Sequence, residues 1–225
     1  MKRDIKLEDI SDGKLYTAND LVRADCHDCA GCSACCSKMA SIILDPLDIW
    51  QMSAGLGKSF EKLLEEHIEL NVVDGVILPN MKMSGKEERC SFLNSGGRCS
   101  IHAFRPGICR LFPLGRYYEE KGFRYFLQIH ECRKTDRSKV KVKKWLGISD
   151  LKSYEKYIWD WHQFLRMCGE AMRTLTDENQ RVFQICILRT FYQTPYKASG
   201  LASYREFYQE FYERMKELKE RLGME

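Results

Sequence analysis

Five of the eleven cysteines in this 225-residue chain stand in the stretch CHDCAGCSACC, residues 26 to 36. Four more, Cys90, Cys99, Cys109 and Cys132, follow. Cys26, Cys29, Cys32 and Cys35 are each separated by two residues, and Cys36 adjoins the last. That spacing lets neighbouring sulfurs converge on one centre at ~2.3 Å, as in zinc sites and in cysteine runs that hold iron–sulfur clusters. Ala30, Gly31, Ser33 and Ala34 lie between them and let the backbone bend around an ion. The vicinal Cys35 and Cys36 are poor disulfide partners, because such a bond strains the peptide between them. Packing alone does not explain so many cysteines in so polar a stretch. Nine thiols exceed the four of a mononuclear centre, so the count implies two sites or one polynuclear cluster. His27, His102 and His130 flank these cysteines and are further candidate ligands, against the plainer reading of exposed or outer-shell histidines.

From Arg89 to Tyr118 the chain has no acidic residue, yet it places Arg89, Arg98, Arg105, Arg110 and Arg116 there. Guanidinium groups offset the negative charge of thiolate-ligated metal. The alternatives are ordinary surface arginines, or a receiving site for an anionic substrate or partner. A second basic run, RKTDRSKVKVKKW over 133–145, has seven cations and one acid. Its Lys-Val alternation predicts a strand with one cationic face. Nucleic-acid binding through this strand is an alternative function, but only Trp145 is there to stack on a base, which weighs against it.

The run CAGCSACC, followed by LDPLDI, CSFLNSGGRCSIHAFRPGICRLFP and a late cysteine, resembles the YkgJ-type cysteine-cluster family, a zinc- or iron-chelating domain with the pattern CxxCxxCC. The likeness covers about residues 26 to 133. It implies that Cys29, Cys32, Cys35, Cys36, Cys90, Cys99 and Cys109 share a cluster, with Cys132 as an eighth member. Cys26 lies outside that pattern. The family includes bacterial flagellin lysine N-methylases, for which an iron–sulfur cluster and S-adenosylmethionine are reported. Nothing beyond the cysteine core of this chain matches a methylase, so that activity is not carried over. An iron–sulfur cluster is favoured over zinc because the closely spaced thiols outnumber one zinc site and resemble a ferredoxin-like run. The function expected is cluster carrying, with a redox or protein-modifying role and an unidentified protein partner or substrate. The alternative is a zinc-stapled interaction module.

The N-terminus, MKRDIKLEDI, is charged where a secretion signal would be apolar, and no apolar run approaches the ~20 residues of a membrane span. A cytoplasmic protein is expected. A reducing cytosol keeps thiols free, and an odd number of cysteines leaves no complete pairing. The net charge of +4 does not by itself declare a nucleic-acid partner. GKS at 57–59 lacks the earlier glycine of a phosphate loop, since Met52 stands there. No cysteine triplet has the radical S-adenosylmethionine spacing, and no acid–base pair or nucleophile triad stands out, so catalysis is left open.

The elements that must position these thiols are short in the first part of the chain. Asp45, Pro46 and Asp48 predict a helix start, closed by Gly55 and Gly57. Ser59 predicts the cap of a helix over FEKLLEEHIEL. Hairpins are expected at Asp74-Gly75 and Lys121-Gly122, and a turn at 94–97 between Cys90 and Cys99. After about Ser149 the period becomes helical, with Leu151, Tyr154, Ile158, Trp161, Leu165 and Cys168 on one stripe. A second helix starts at Thr176 or Asp177. Ser203 and Glu206 predict a capping box for a third. Trp159, Trp161, His162 and Cys168 are expected in the core. The fold class expected is α+β, mainly helical. A cysteine-rich metal-binding region with short β-hairpins, 1–148, precedes a three-helix region, 149–225, packed against it as one compact domain.

Overall fold

The computed structural model describes residues 6–26, 32–39, 42–198, 200 and 203–224. His27 and Cys29, both candidate ligands, lie outside the described residues. The described elements are α+β, with helices outweighing small antiparallel hairpins. A short α1 (Leu7–Ile10) precedes β1 (Leu21–Asp25). Helix α2 (Pro46–Leu56) begins at the predicted Asp45-Pro46 signal. It runs past Gly55 and ends at Gly57, whose left-handed φ of 64° suits a glycine. Gly55 instead allows a close approach: a Cβ there would strike the Phe104 ring. Ser59 caps α3 (Phe60–Glu66), accepting from the Lys62 N–H at 3.3 Å. The GKS stretch is therefore a helix-to-helix turn.

Helix α3 is shorter than its periodicity suggests. Ile68 and Leu70 leave it for β2 (Ile68–Val73), which pairs with β3 (Val76–Met81) around Asp74-Gly75. Both turn residues have positive φ, as a tight hairpin turn of this length requires. Strands β4 (Met83–Ser84) and β5 (Arg89–Cys90) make a minimal hairpin. Helix α4 (Gly107–Leu111) precedes β6 (Leu114–Glu119) and β7 (Gly122–Leu127), joined at the predicted Lys121-Gly122 turn. β7 ends at Leu127, so Cys132 lies in the loop beyond that strand. The basic run is a strand only over β8 (Ser138–Lys141), which pairs with β1; Val142 to Leu146 turn into α5. Burial of Val142 and Leu146, four residues apart, favours the helical turn over continued alternation.

Three long helices follow: α6 (Leu151–Met172), α7 (Asp177–Leu188) and α8 (Tyr204–Leu222). Thr176 caps α7, but the Ser203 side chain makes no capping bond on α8. Helix α6 buries Tyr154, Tyr157, Ile158, Trp161, Phe164, Cys168 and Met172; Leu151 and Leu165 are half-buried. Trp161 meets Phe191 edge-on at 5.0 Å between ring centroids, and Tyr157 meets Phe211 at 4.7 Å. Trp161 and Cys168 are core residues as expected. Trp159 and His162 are only half-buried, and His162 stacks on Tyr118 at 3.6 Å.

The main core joins α6–α8 to Leu44–Met81, Phe92 and Ile101, so the cysteine-bearing segments rest on the long helices. A second cluster, Val22, Ala24, Leu111, Leu114, Tyr125, Leu127, Val142 and Leu146, lies beneath β1, β8 and the β6–β7 hairpin. Leu111 anchors α4 in it. No helix among the described residues is long and apolar enough to cross a membrane.

Candidate metal centre

The N-terminus of α2 organises the site. Asp45 Oδ1 accepts the Asp48 N–H at 2.9 Å, and Asp48 Oδ2 accepts the Asp45 N–H at 3.1 Å, closing a reciprocal cap. Tyr157 on α6 donates its hydroxyl to Asp45 Oδ1 at 3.1 Å and accepts the Leu47 N–H at 3.0 Å. The free oxygen of the second carboxylate, Asp48 Oδ1, accepts the Gly107 N–H at 2.7 Å. Gly107 opens the helix that carries Cys109 and Arg110. A Cβ on Gly107 would collide with the Tyr154 hydroxyl, itself fixed by Arg116 Nη2 at 2.8 Å. Glycine is required there by crowding. Burial lifts both aspartates above the usual carboxylate range, Asp48 further because Asp45 lies beside it.

The Cys90–Cys99 loop closes on itself through Leu93 N–H to Cys90 O at 3.0 Å and Ser100 N–H to Phe92 O at 2.8 Å. The backbone N–H groups two residues ahead, of Phe92 for Cys90 and of Ile101 for Cys99, act to lower these thiols. Such donors favour a thiolate. The short 3₁₀ turn Ala34–Cys36 reaches the same strand. Lys38 N–H donates to Glu88 O at 2.8 Å, and Ser37 bridges Arg89, next to Cys90. The two cysteine-rich stretches, 50 residues and more apart in sequence, are thereby laid side by side.

Cys109 stands where they meet. Burial first, then the charges of Asp48, Cys90, Cys99 and Cys35, push its thiol well above the ordinary range. Burial likewise raises Cys90 and Cys99; Arg105 pulls Cys99 back. Clustered thiols that resist ionisation in isolation become good ligands once a cation neutralises them. The Cys36 Sγ lies 3.9 Å from that of Cys35. Among the described residues, no three or more His, Cys, Asp or Glu side chains already stand in closed metal-ligand geometry. The thiols are neighbours and not a finished cage.

Arg105 lies near the Cys99 thiol, and Arg110 follows Cys109 on α4 and lies near Arg105. Burial and the neighbouring Arg105 lower the Arg110 guanidinium. Arg105 Nε is buried with no hydrogen-bond partner among the described residues. A pair of like charges with an unpaired N–H fits a centre whose thiolates leave it net negative. A donor set drawn from these thiols would be all sulfur, which suits zinc or iron.

The remaining candidates fall elsewhere. Cys26 is buried at the end of β1, 5% exposed, while Cys32 and Cys132 are half-buried in loops. His102 is exposed and hydrogen-bonded to Arg105 on the turn before α4, and His130 is exposed in the loop before Cys132. His67 packs on Phe92 at 4.3 Å and bonds Ser91 Oγ at 3.0 Å, as an ordinary structural histidine would. Cys168 and Cys186 lie on α6 and α7.

Sequence reading takes Asp48 only as a first-turn acid and Tyr154 only as a member of an apolar stripe, and passes over Gly107. The Asp-x-x-Asp spacing at Pro46 and the glycine directly after Pro106 are the signals that point to Asp48 and Gly107.

Residues 28–142, half of the chain, match the family model CxxCxxCC, described as "Putative zinc- or iron-chelating domain". No curated protein and no solved structure matches the chain.

Proposed function

The chain belongs to the CxxCxxCC zinc- or iron-chelating family, and from that premise we propose that it carries a cysteine-ligated iron–sulfur cluster in a reducing compartment. Cys35, Cys90, Cys99 and Cys109 are the protein ligands best supported by position. Cys29, Cys32, Cys36 and Cys132 are the further thiols of the family pattern, and Cys26 is the outermost candidate. The observation that carries this reading is the backbone pairing of the two cysteine-rich stretches, Lys38 N–H to Glu88 O at 2.8 Å and the Ser37–Arg89 bridge, directly beside Cys90. When bound, such a cluster supplies one-electron chemistry. The chain's own residues hold its ligands. Asp48 fixes the helix of Cys109, Phe92 and Ile101 N–H groups support two sulfurs, and Arg105 and Arg110 offset negative charge.

Zinc would use the same thiols and act as a staple between the hairpins and α4, making the protein an interaction module. Anaerobic purification followed by elemental analysis and absorption at about 400 nm separates the two. A brown protein containing iron and acid-labile sulfide supports the cluster. A colourless protein with stoichiometric zinc overturns it in favour of the staple.

A further inference from the structure

Strands β1 and β8 form a short ribbon with two unlike faces. Val22 and Ala24 are buried on its inner side, and Val142 continues that layer. Leu21, Arg23, Lys139 and Lys141 are exposed. Leu21 pairs with Lys141, and the bulge between Val22 and Asp25 leaves Arg23 and Ala24 facing Lys139. Lys143 and Lys144 are exposed on α5 directly beyond. Among the described residues, the side chains of these five cations make no ion pair or hydrogen bond; their hydrogen bonds, such as Lys143 N–H to Ala18 O at 2.9 Å, are of the backbone. Leu21 is 55% exposed in their midst. The ribbon continues directly into the thiol-rich stretch, since β1 is followed by Cys26.

We propose that this ribbon is a docking face for an acidic protein that presents an apolar side chain among its carboxylates. An exposed leucine ringed by unneutralised cations has the arrangement of a protein interface, an apolar centre with a charged rim that steers the partner in. Nucleic acid fits less well. The Trp145 indole donates to the carbonyls of Leu111 and Phe112 at 3.3 and 3.2 Å and packs against the second core, so it is not offered to a base. A membrane surface would find a single exposed leucine to insert. The proposal stands whether the centre holds iron or zinc.

The test uses the full chain, as purified, and four probes: a glutamate-rich peptide with a central leucine pair, its serine counterpart, a duplex DNA and vesicles containing phosphatidylserine. The leucine peptide should bind, and binding should weaken with salt. Lys139→Glu with Lys141→Glu, and separately Leu21→Ser, should each weaken it about tenfold or more. All three positions are exposed, and unchanged circular dichroism confirms the fold of each variant. Equal binding of the serine peptide, indifference to Leu21→Ser, tighter binding of DNA or vesicles, or no binding of any probe would overturn the proposal.

Discussion

Asp48 Oδ1 accepts the Gly107 N–H at 2.7 Å, a buried bond across 59 residues that ties the start of α2 to the helix carrying Cys109. The same carboxylate closes the cap on Asp45, so one side chain serves two helix starts. Asp48→Ala leaves the N–H groups of Gly107 and Asp45 unpaired, and should cost about 2–4 kcal/mol. Urea denaturation measures the loss, and the variant should retain less metal than the wild type. A wild-type midpoint with full metal content would remove Asp48 from the account.

Gly107 is held against the Tyr154 hydroxyl, and that hydroxyl is pinned by Arg116. Gly107→Ala should therefore destabilise by about 1–3 kcal/mol, as overpacking does. Adding Tyr154→Phe removes the obstructing oxygen and should return part of the loss. The double-mutant cycle should show coupling beyond about 0.5 kcal/mol; additive losses would contradict the contact.

The cysteines divide by position. Cys109→Ser should abolish or greatly reduce metal retention, because its buried thiol feels the charges of Cys90, Cys99 and Cys35. Cys168→Ser, in the main core on α6, should leave metal content unchanged while costing about 1–3 kcal/mol for a buried hydroxyl. Elemental analysis of both variants checks the contrast, and equal metal loss would sink it.

His162 supplies a pH dependence. Desolvation against Tyr118 and the nearby Arg166 bring its imidazole down to about 4. Its folded value lies below the unfolded one, so the unfolded chain binds the proton first. Stability from this group is present above about pH 6.5, declines as pH falls toward 4, and changes no further below that. After allowing for its partial solvent access, the loss should be about 1–2 kcal/mol. Urea unfolding of wild type and His162→Phe at neutral and acidic pH isolates it. The variant should lose less stability on acidification than the wild type, and parallel losses would refute the assignment.

Much of the framework was legible in the sequence because local chemistry dictates it. Asp45-Pro46 and Ser59 start helices, and Asp74-Gly75 and Lys121-Gly122 turn hairpins, where the sequence places them. The stripe on α6 is visible from its period. Where two periods compete, the reading fails. Ile68 and Leu70 suit helix or strand alike, and with no glycine after Glu66 to stop α3, pairing with β3 decides for the strand. Val140 and Val142 alternate with lysines, yet burial of Val142 with Leu146 turns the chain into α5. Serine at 203 has the right chemistry for a cap, but its side chain does not make that bond. For the site, the cysteines were evident from type and spacing, and the family match bears out the resemblance. Their supports were not. The partners of Asp48, Gly107 and Tyr154 lie far along the chain, and only tertiary packing brings them together.

The thiols around Cys109 are proposed to bind the metal directly. X-ray absorption at the metal edge of the anaerobically purified protein tests it most directly. An all-sulfur shell at about 2.3 Å is expected, lost in Cys109→Ser. A shell of oxygen or nitrogen, or a protein that binds neither iron nor zinc, would contradict it.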